Sequence, residues 1–255
     1  MYRNIAYLSR DQIMRLFTWD EEGNRVSYDV PYSPYYYMEP TGGQKGDKTS
    51  LYNTNLTKFE FPNEYRRRES IDRLKQQEQR KDQQDRGPVR LFESISTLQQ
   101  FLVDRYWKEN NSPDFSKHPI KFQFVDIETY SPDAFPNPDT ANDTVNVITV
   151  YDSIDKHFYT WGLGEYTPSR TDVTYKNCPS ERELLLSFVE FLQKDYPDIL
   201  SGWNSEFFDI PYLVNRIQKV LGEEVSKRLS PVNVIYSRQL VSKFGKYNTR
   251  WHLKG

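Results

Sequence analysis

The sequence predicts two domains in series, a β-rich one over residues 1–107 and an α/β (α+β) one with a mixed sheet over residues 108–255. Three observations predict this. A chain of 255 residues exceeds a typical single-domain length. The first forty residues alternate and are rich in β-formers. From Lys121 onward, strand-like runs give way to helix-period segments in the order strands, helix, strand, helix, the signature of α/β or α+β layering.

In order along the chain, MRLFTWDEEGNRVSYDV reads as two strands around the turn 20–24, and PYYYM as a third. EPTGGQKGDKTS, residues 39–50, reads as a polar turn or loop. The segment 64–86 holds eight basic and six acidic residues, with Tyr65, Ile71 and Leu74 as its large apolar ones. That pattern predicts a solvated helix poor in core contacts, with an RNA-binding basic helix as the alternative. SISTLQQFLVDRYW places Leu98, Phe101, Leu102 and Tyr106 at helical spacing. A polar connector follows over 107–119. KFQFVDIE, VNVITVYDS and HFYTW then read as three adjacent antiparallel strands. In PSERELLLSFVEFLQ, Ser180 and Glu183 have capping-box spacing ahead of the stripe Leu184, Phe188, Phe191 and Leu192. DILSGWN reads as a short strand, and IPYLVNRIQKVLGEEV as a helix with Pro211 in its tolerant first turn. VNVIYSRQLVSKFGKYNTRWHL reads as a hairpin around Phe244, Gly245 and Lys246.

Composition narrows the function classes. Aromatic residues make up 15% of the chain, which argues against wholesale disorder. A net charge of -2 excludes a generally basic nucleic-acid coat protein, so any contact with nucleic acid is local or metal-mediated. Local charge is different after Asp209: residues 210–255 hold nine Lys or Arg against Glu223 and Glu224, an excess able to hold phosphates. Cys178 is the sole cysteine, and His118, His157 and His252 lack metal-ligand spacing, which excludes a Cys-rich zinc site. No apolar run approaches a membrane span, so a soluble cytoplasmic protein is expected.

The chemistry concentrates in FQFVDIETY, residues 122–130. In a strand Phe122, Phe124, Asp126 and Glu128 share one face, with the two carboxylates about 7 Å apart. At the edge of an apolar layer two such anions repel each other and lose hydration unless a cation lies between them, and the alternative is that the strand has ended and both acids face water. Asp209 stands where a strand hands over to a helix, and it reads either as an N-cap or as a third metal ligand.

VDIETYSPDAFP, followed some eighty residues later by LSGWNSEFFDIPYLVNRI, resembles the first two exonuclease motifs of family B DNA polymerases. The closest likeness is to the replicative enzymes of T-even-type phages and their cyanophage relatives. It extends to NIAYLSRDQIMRLFTWDEEGNR, ITVYDSID and KRLSP, and segment 64–86 looks like an insertion. The resemblance implies a β-rich N-terminal domain and a ribonuclease-H-like 3′-5′ exonuclease domain, the proofreading portion of a replicative DNA-directed DNA polymerase. It also implies two divalent cations, Mg²⁺ or Mn²⁺, and DNA as partner. Asp126 would bridge both cations, Glu128 would bind one and orient the attacking water, and Asp209 would hold the second. Phe135 would pack on the displaced single-stranded 3′ end, Asn204 and Phe208 would lie near the terminal nucleotide, and Lys243, Lys246 and Arg250 would sit on a hairpin beside the primer-template junction. The family's third motif, Y-x-x-x-D, does not follow Asp209 in these residues, so an incomplete domain, weak activity alone and a complementary polymerase polypeptide are expected. A catalytically inactive single-strand-binding module, or a remnant of a truncated polymerase, is the alternative.

Overall fold

Strands form where apolar and polar residues alternate, and helices where apolar residues recur every third or fourth position, in a computed structural model that describes residues 2–40, 45–80, 91–108, 116–132, 134–241 and 247–254. The chain divides into two units, Met1–Pro113 and Asp114–Gly255.

In the first unit β1 (Asn4–Leu8), β2 (Ile13–Trp19) and β3 (Arg25–Pro31) form an antiparallel sheet. The β2–β3 turn falls where the sequence predicts it. The Asp20 carboxylate accepts the backbone N–H groups of Glu22 and Asn24, and Gly23 adopts φ +87°. A second sheet holds β4 (Tyr35–Met38), β5 (Lys48–Thr49), β6 (Asn55–Glu60) and β7 (Leu91–Phe92) in the order β5-β6-β4-β7. PYYYM is thus a strand, but of this second sheet, and part of the expected loop 39–50 is strand. The helices are α1 (Glu64–Arg80) and α2 (Thr97–Tyr106). Ser96 caps α2 with a complete capping box, and Phe101 packs with Ile5, Tyr7, Met14 and Leu16.

The charged helix is solvated and poor in core contacts over most of its length, as expected, with two exceptions. Ile71 and Arg67 of α1 are both buried. Glu64 takes Arg67 Nε at 2.9 Å, while Arg67 Nη1 donates to the Tyr35 and Glu93 carbonyls at 3.5 and 3.4 Å. An arginine with all three guanidinium nitrogens hydrogen-bonded packs as core despite its charge. Residues 81–86 of that segment lie outside the described residues.

The second unit is built on five strands: β8 (Phe122–Tyr130), β9 (Thr144–Asp152), β10 (His157–Leu163), β11 (Val173–Cys178) and β12 (Ile199–Ser201). Their order is β11-β10-β9-β8-β12. β8, β9 and β10 run antiparallel as the sequence predicts, while β11 joins β10 and β12 joins β8 in parallel, so the sheet is mixed. Burial alternates strictly along β8. Gln123, Val125 and Ile127 are buried, whereas Phe124, Asp126 and Glu128 are exposed. The shared face of Phe124 and the two acids is therefore correct, but the apolar layer lies on the other face. There α3 (Glu181–Lys194) supplies Leu184, Leu185, Phe188, Val189 and Leu192, each worth about 1.5–3 kcal/mol when fully buried.

α4 (Asp209–Leu221) packs Tyr212, Leu213, Val214 and Ile217 into the same layer. The single helix expected through Val225 is two: Gly222, at φ +98°, ends α4, and α5 (Glu223–Lys227) follows. β13 (Ile235–Val241) and β14 (Tyr247–Leu253) form the expected antiparallel hairpin, whose tip at 242–246 lies outside the described residues. Among the described residues no helix is long and apolar enough to cross a membrane.

Candidate active site

The site begins with a strand that stops early. β12 pairs with β8 for three residues, ending with Ser201 opposite Phe124. The chain then crosses the edge of β8 at Gly202. A Cβ there would stand 2.4 Å from the Val125 carbonyl oxygen and 3.1 Å from Ser205 Cβ, so only glycine permits the approach. The turn beyond is closed by the Asn204 carbonyl, which accepts the N–H groups of Phe207 and Phe208 at 3.0 and 2.9 Å. Capping at this turn is thus done by the backbone of Asn204, and its side chain is exposed.

Asp209 opens α4, but it is not the N-cap. Phe208 holds that position, with no side-chain cap bond. The Asp209 carboxylate instead reaches β8, where Oδ1 accepts the N–H of Ile127 at 3.3 Å. Because β12 has ended, that N–H has no strand to pair with, and Asp209 takes the vacant place in the ladder. Ile127 is the residue between Asp126 and Glu128, so the hydrogen bond brings the third acid to the level of the first two. One residue beyond Glu128 the β8–β9 register slips, leaving Asn146 of β9 over, a bulge of the sort that sits beside functional sites.

Electrostatics records the convergence. Burial pushes the Asp209 carboxyl up to about 6, with the negative charge of Asp126 as the next cause and that of Glu128 as a smaller one. Among the described residues neither Asp126 nor Glu128 makes a hydrogen bond or ion pair through its side chain that would neutralise it. Three oxygen-donor groups, one of them raised in part by the charges of the other two, suit a hard divalent cation by chemistry. As they stand, however, no three acidic, histidine or cysteine side chains among the described residues are close enough to hold an ion.

Phe135, 83% exposed, lies with its ring 5.3 Å from that of Phe208, which in turn lies 5.7 Å from Tyr212. Phe135 touches Phe208 and presents most of its surface to solvent. Arg250, expected to face phosphate, is paired with Glu206 at 2.7 Å, each about half exposed. Lys243 and Lys246 lie outside the described residues.

Sequence reasoning missed the residues that fix the loop carrying Phe135. Arg216 of α4 grips Glu181 with two bonds of 2.7 Å and donates to the Ala141 and Asn142 carbonyls at 3.1 and 2.8 Å. Glu181 also accepts the N–H of Val145 at 2.8 Å, joining α3, α4 and β9. Glu181 and Arg216 are 35 positions apart in the chain, and neither carries a local signal of the pairing.

The family model described as DNA polymerase family B, exonuclease domain, matches residues 85–252. The DNA-directed DNA polymerase of Escherichia phage RB69 is 30% identical over 89% of this chain and 27% of its own length. That of Enterobacteria phage T4 is 26% identical over 89% of this chain and 26% of its own length. A DNA polymerase beta of African swine fever virus is 34% identical over 41% of the chain and 9% of its own length. The chain thus spans about a quarter of the length of the two phage relatives.

Proposed function

Because this chain belongs to the family B DNA polymerases through their exonuclease domain, we propose that Asp126, Glu128 and Asp209 form a metal-dependent 3′-5′ exonuclease site that removes mispaired 3′ nucleotides during DNA replication. The observation that carries this reading is the Asp209 carboxyl, raised to about 6 by burial and by Asp126 and Glu128 across a single backbone N–H. A buried carboxyl beside two exposed like charges is costly in a merely structural role and suits a place where positive charge arrives.

Asp126, Glu128 and the free Oδ2 of Asp209 would hold two divalent cations, Mg²⁺ or Mn²⁺. When bound, these would activate a water and stabilise the leaving 3′ oxygen. The chain's own residues do the rest. The Ile127 N–H fixes one Asp209 oxygen beside the strand that carries the other two acids. Glu128, exposed at the end of the strand before the bulge, orients the water. Phe135 and Phe208 form an aromatic ledge on which an unpaired terminal base stacks, worth about 1–3 kcal/mol per base. Asn204 presents an exposed amide near that ledge. Arg250 and the hairpin lysines Lys243 and Lys246 meet the phosphates, Arg250 by exchanging Glu206 for them. A fourth carboxylate, from a Y-x-x-x-D motif, would complete a two-cation site in this reading.

The test is incubation of the chain with a 3′-labelled, mismatched primer in Mg²⁺. Stepwise loss of 3′ nucleotides is expected, weak for the chain alone, stronger with a polypeptide bearing the third motif, and absent in EDTA or in Asp126→Ala. No trimming by a stable mixture in Mg²⁺ or Mn²⁺ refutes the reading. A second reading, a single-strand-binding module without chemistry, is favoured by one observation: the described acids do not stand at ion-holding distance. Binding of single-stranded DNA that persists without trimming selects it.

A further inference from the structure

One face of α4 carries Tyr212, Asn215, Arg216 and Lys219, at spacings of three and four residues, and all four reach the same segment, residues 138–143. Tyr212 Oη donates to the Asp143 carbonyl at 2.8 Å and accepts the Asp143 N–H at 3.0 Å. Asn215 Nδ2 donates to the Pro138 carbonyl at 2.8 Å. Arg216 holds the carbonyls of Ala141 and Asn142, with Glu181 behind it, and Lys219 Nζ donates to the Thr140 carbonyl at 3.3 Å and to Asn142 Oδ1 at 2.5 Å. Ala141 is fully buried and sits at φ +42°, a conformation an alanine does not choose without being held. A proline-broken stretch that would otherwise sample many conformations is therefore fastened at almost every carbonyl from 138 to 143.

The fastening acts on the site from both sides. The segment begins three residues after Phe135, and α4 begins at Asp209, one residue after Phe208. Phe135 and Phe208 meet at 5.3 Å, so the ledge they form depends on the relation between the loop and the helix. The four side chains are what sets that relation.

We propose that Tyr212, Asn215, Arg216 and Lys219 are positioning residues that latch the 138–143 loop to α4. They hold Phe135 against Phe208 and so set how tightly an unstacked terminal base is gripped beside the acids. The proposal rests on the nuclease reading of the site. It adds to that reading a specific origin for single-strand affinity: the latch, rather than Phe135 alone.

The experiment measures binding of a fluorescent oligothymidylate in EDTA by anisotropy. The variants are Phe135→Ala, the double variant Asn215→Ala with Lys219→Ala, and the combination of all three. The double variant leaves the buried Glu181–Arg216 pair intact and so keeps the fold, while Arg216→Lys, which keeps the charge but loses the fork, is a second route to the same loosening. A 5- to 10-fold loss of affinity is expected for the double variant and for Arg216→Lys, comparable with the loss from Phe135→Ala. The triple variant is expected to bind within 2-fold of Phe135→Ala, because once the ring is gone its positioning has nothing left to act on. A purely structural weakening would add its loss to that of Phe135→Ala. Additive losses, or unchanged binding in the latch variants while the wild type binds, overturn the latch and leave the nuclease reading standing. A wild-type chain that neither binds nor trims the oligonucleotide overturns both.

Discussion

Replacing Asp209 by asparagine tests the electrostatics of the site without touching its shape. Asn keeps an oxygen for the Ile127 N–H and resembles the protonated acid in size. The wild-type carboxyl titrates at about 6 in the folded chain against 3.8 as the ordinary value. A raised acid means that the folded state binds more protons than the unfolded one between those values. Folding is therefore weakened as pH rises from about 4 to about 6, and the penalty is constant above that range. Two pKa units correspond to about 3 kcal/mol, which we take as a ceiling. Asp209→Asn is then expected to equal wild type in stability near pH 3.5 and to exceed it by about 1–3 kcal/mol at pH 7. For a unit of this size that raises Tm by roughly 3–10 °C. The assay is thermal unfolding of both proteins from pH 3.5 to 8, read as a difference so that all other titrations cancel. Adding Mg²⁺ at pH 7 should stabilise the wild type and leave the variant nearly unmoved. A difference that is flat with pH, or a variant less stable than wild type at pH 7, refutes the inference that Asp126 and Glu128 crowd Asp209.

Three further outcomes follow from geometry. Gly202→Ala places a methyl 2.4 Å from a backbone oxygen that cannot move aside, so it should cost about 1–3 kcal/mol in urea unfolding and abolish trimming by displacing Asp209. Lys121→Met leaves Asp152, which is fully buried and 3.0 Å from Lys121 Nζ, without its cation. Burial alone would raise Asp152, but its bonds from Gln123 and Lys121 hold it below the ordinary carboxylate range. The loss should be about 3–5 kcal/mol at pH 7 and should shrink as pH falls through the acidic range where Asp152 protonates, measurable by denaturant titration at pH 7 and pH 3. Arg250→Ala breaks a half-exposed pair with Glu206, so stability in urea should change by less than about 1 kcal/mol, while the salt slope of single-strand binding should fall.

Much of the second unit was legible because its signals are local. Strict alternation in β8, the serine cap and apolar stripe of α3, and the strand-to-helix handover at Asp209 all lie within a few residues of one another. What was not legible depends on partners distant in sequence. β11 is an edge strand with mostly exposed side chains, and only its parallel pairing with β10 makes it a strand. Arg67 sits in a run of charges that reads as solvated, and two carbonyls from elsewhere, with Glu64 one turn before it, bury it. At the site, the sequence could offer Asp209 as cap or ligand but could not choose. The choice depends on where β12 stops, which its own residues do not announce. The latch of α4 on the 138–143 loop was invisible for the same reason: five carbonyls have no sequence signature.

The three-residue length of β12 has a consequence for how such a domain can change over evolutionary time. Two more paired residues would extend the sheet, satisfy the Ile127 N–H from a neighbouring backbone and raise the melting point, all by ordinary substitutions that selection for robustness alone would favour. They would also evict Asp209. In the proposed reading, ladder completion and chemistry are therefore alternatives at this edge. Variants isolated for thermal tolerance should be inspected first at residues 202–208, where a zipped edge would yield a sturdier protein without the proposed third acid.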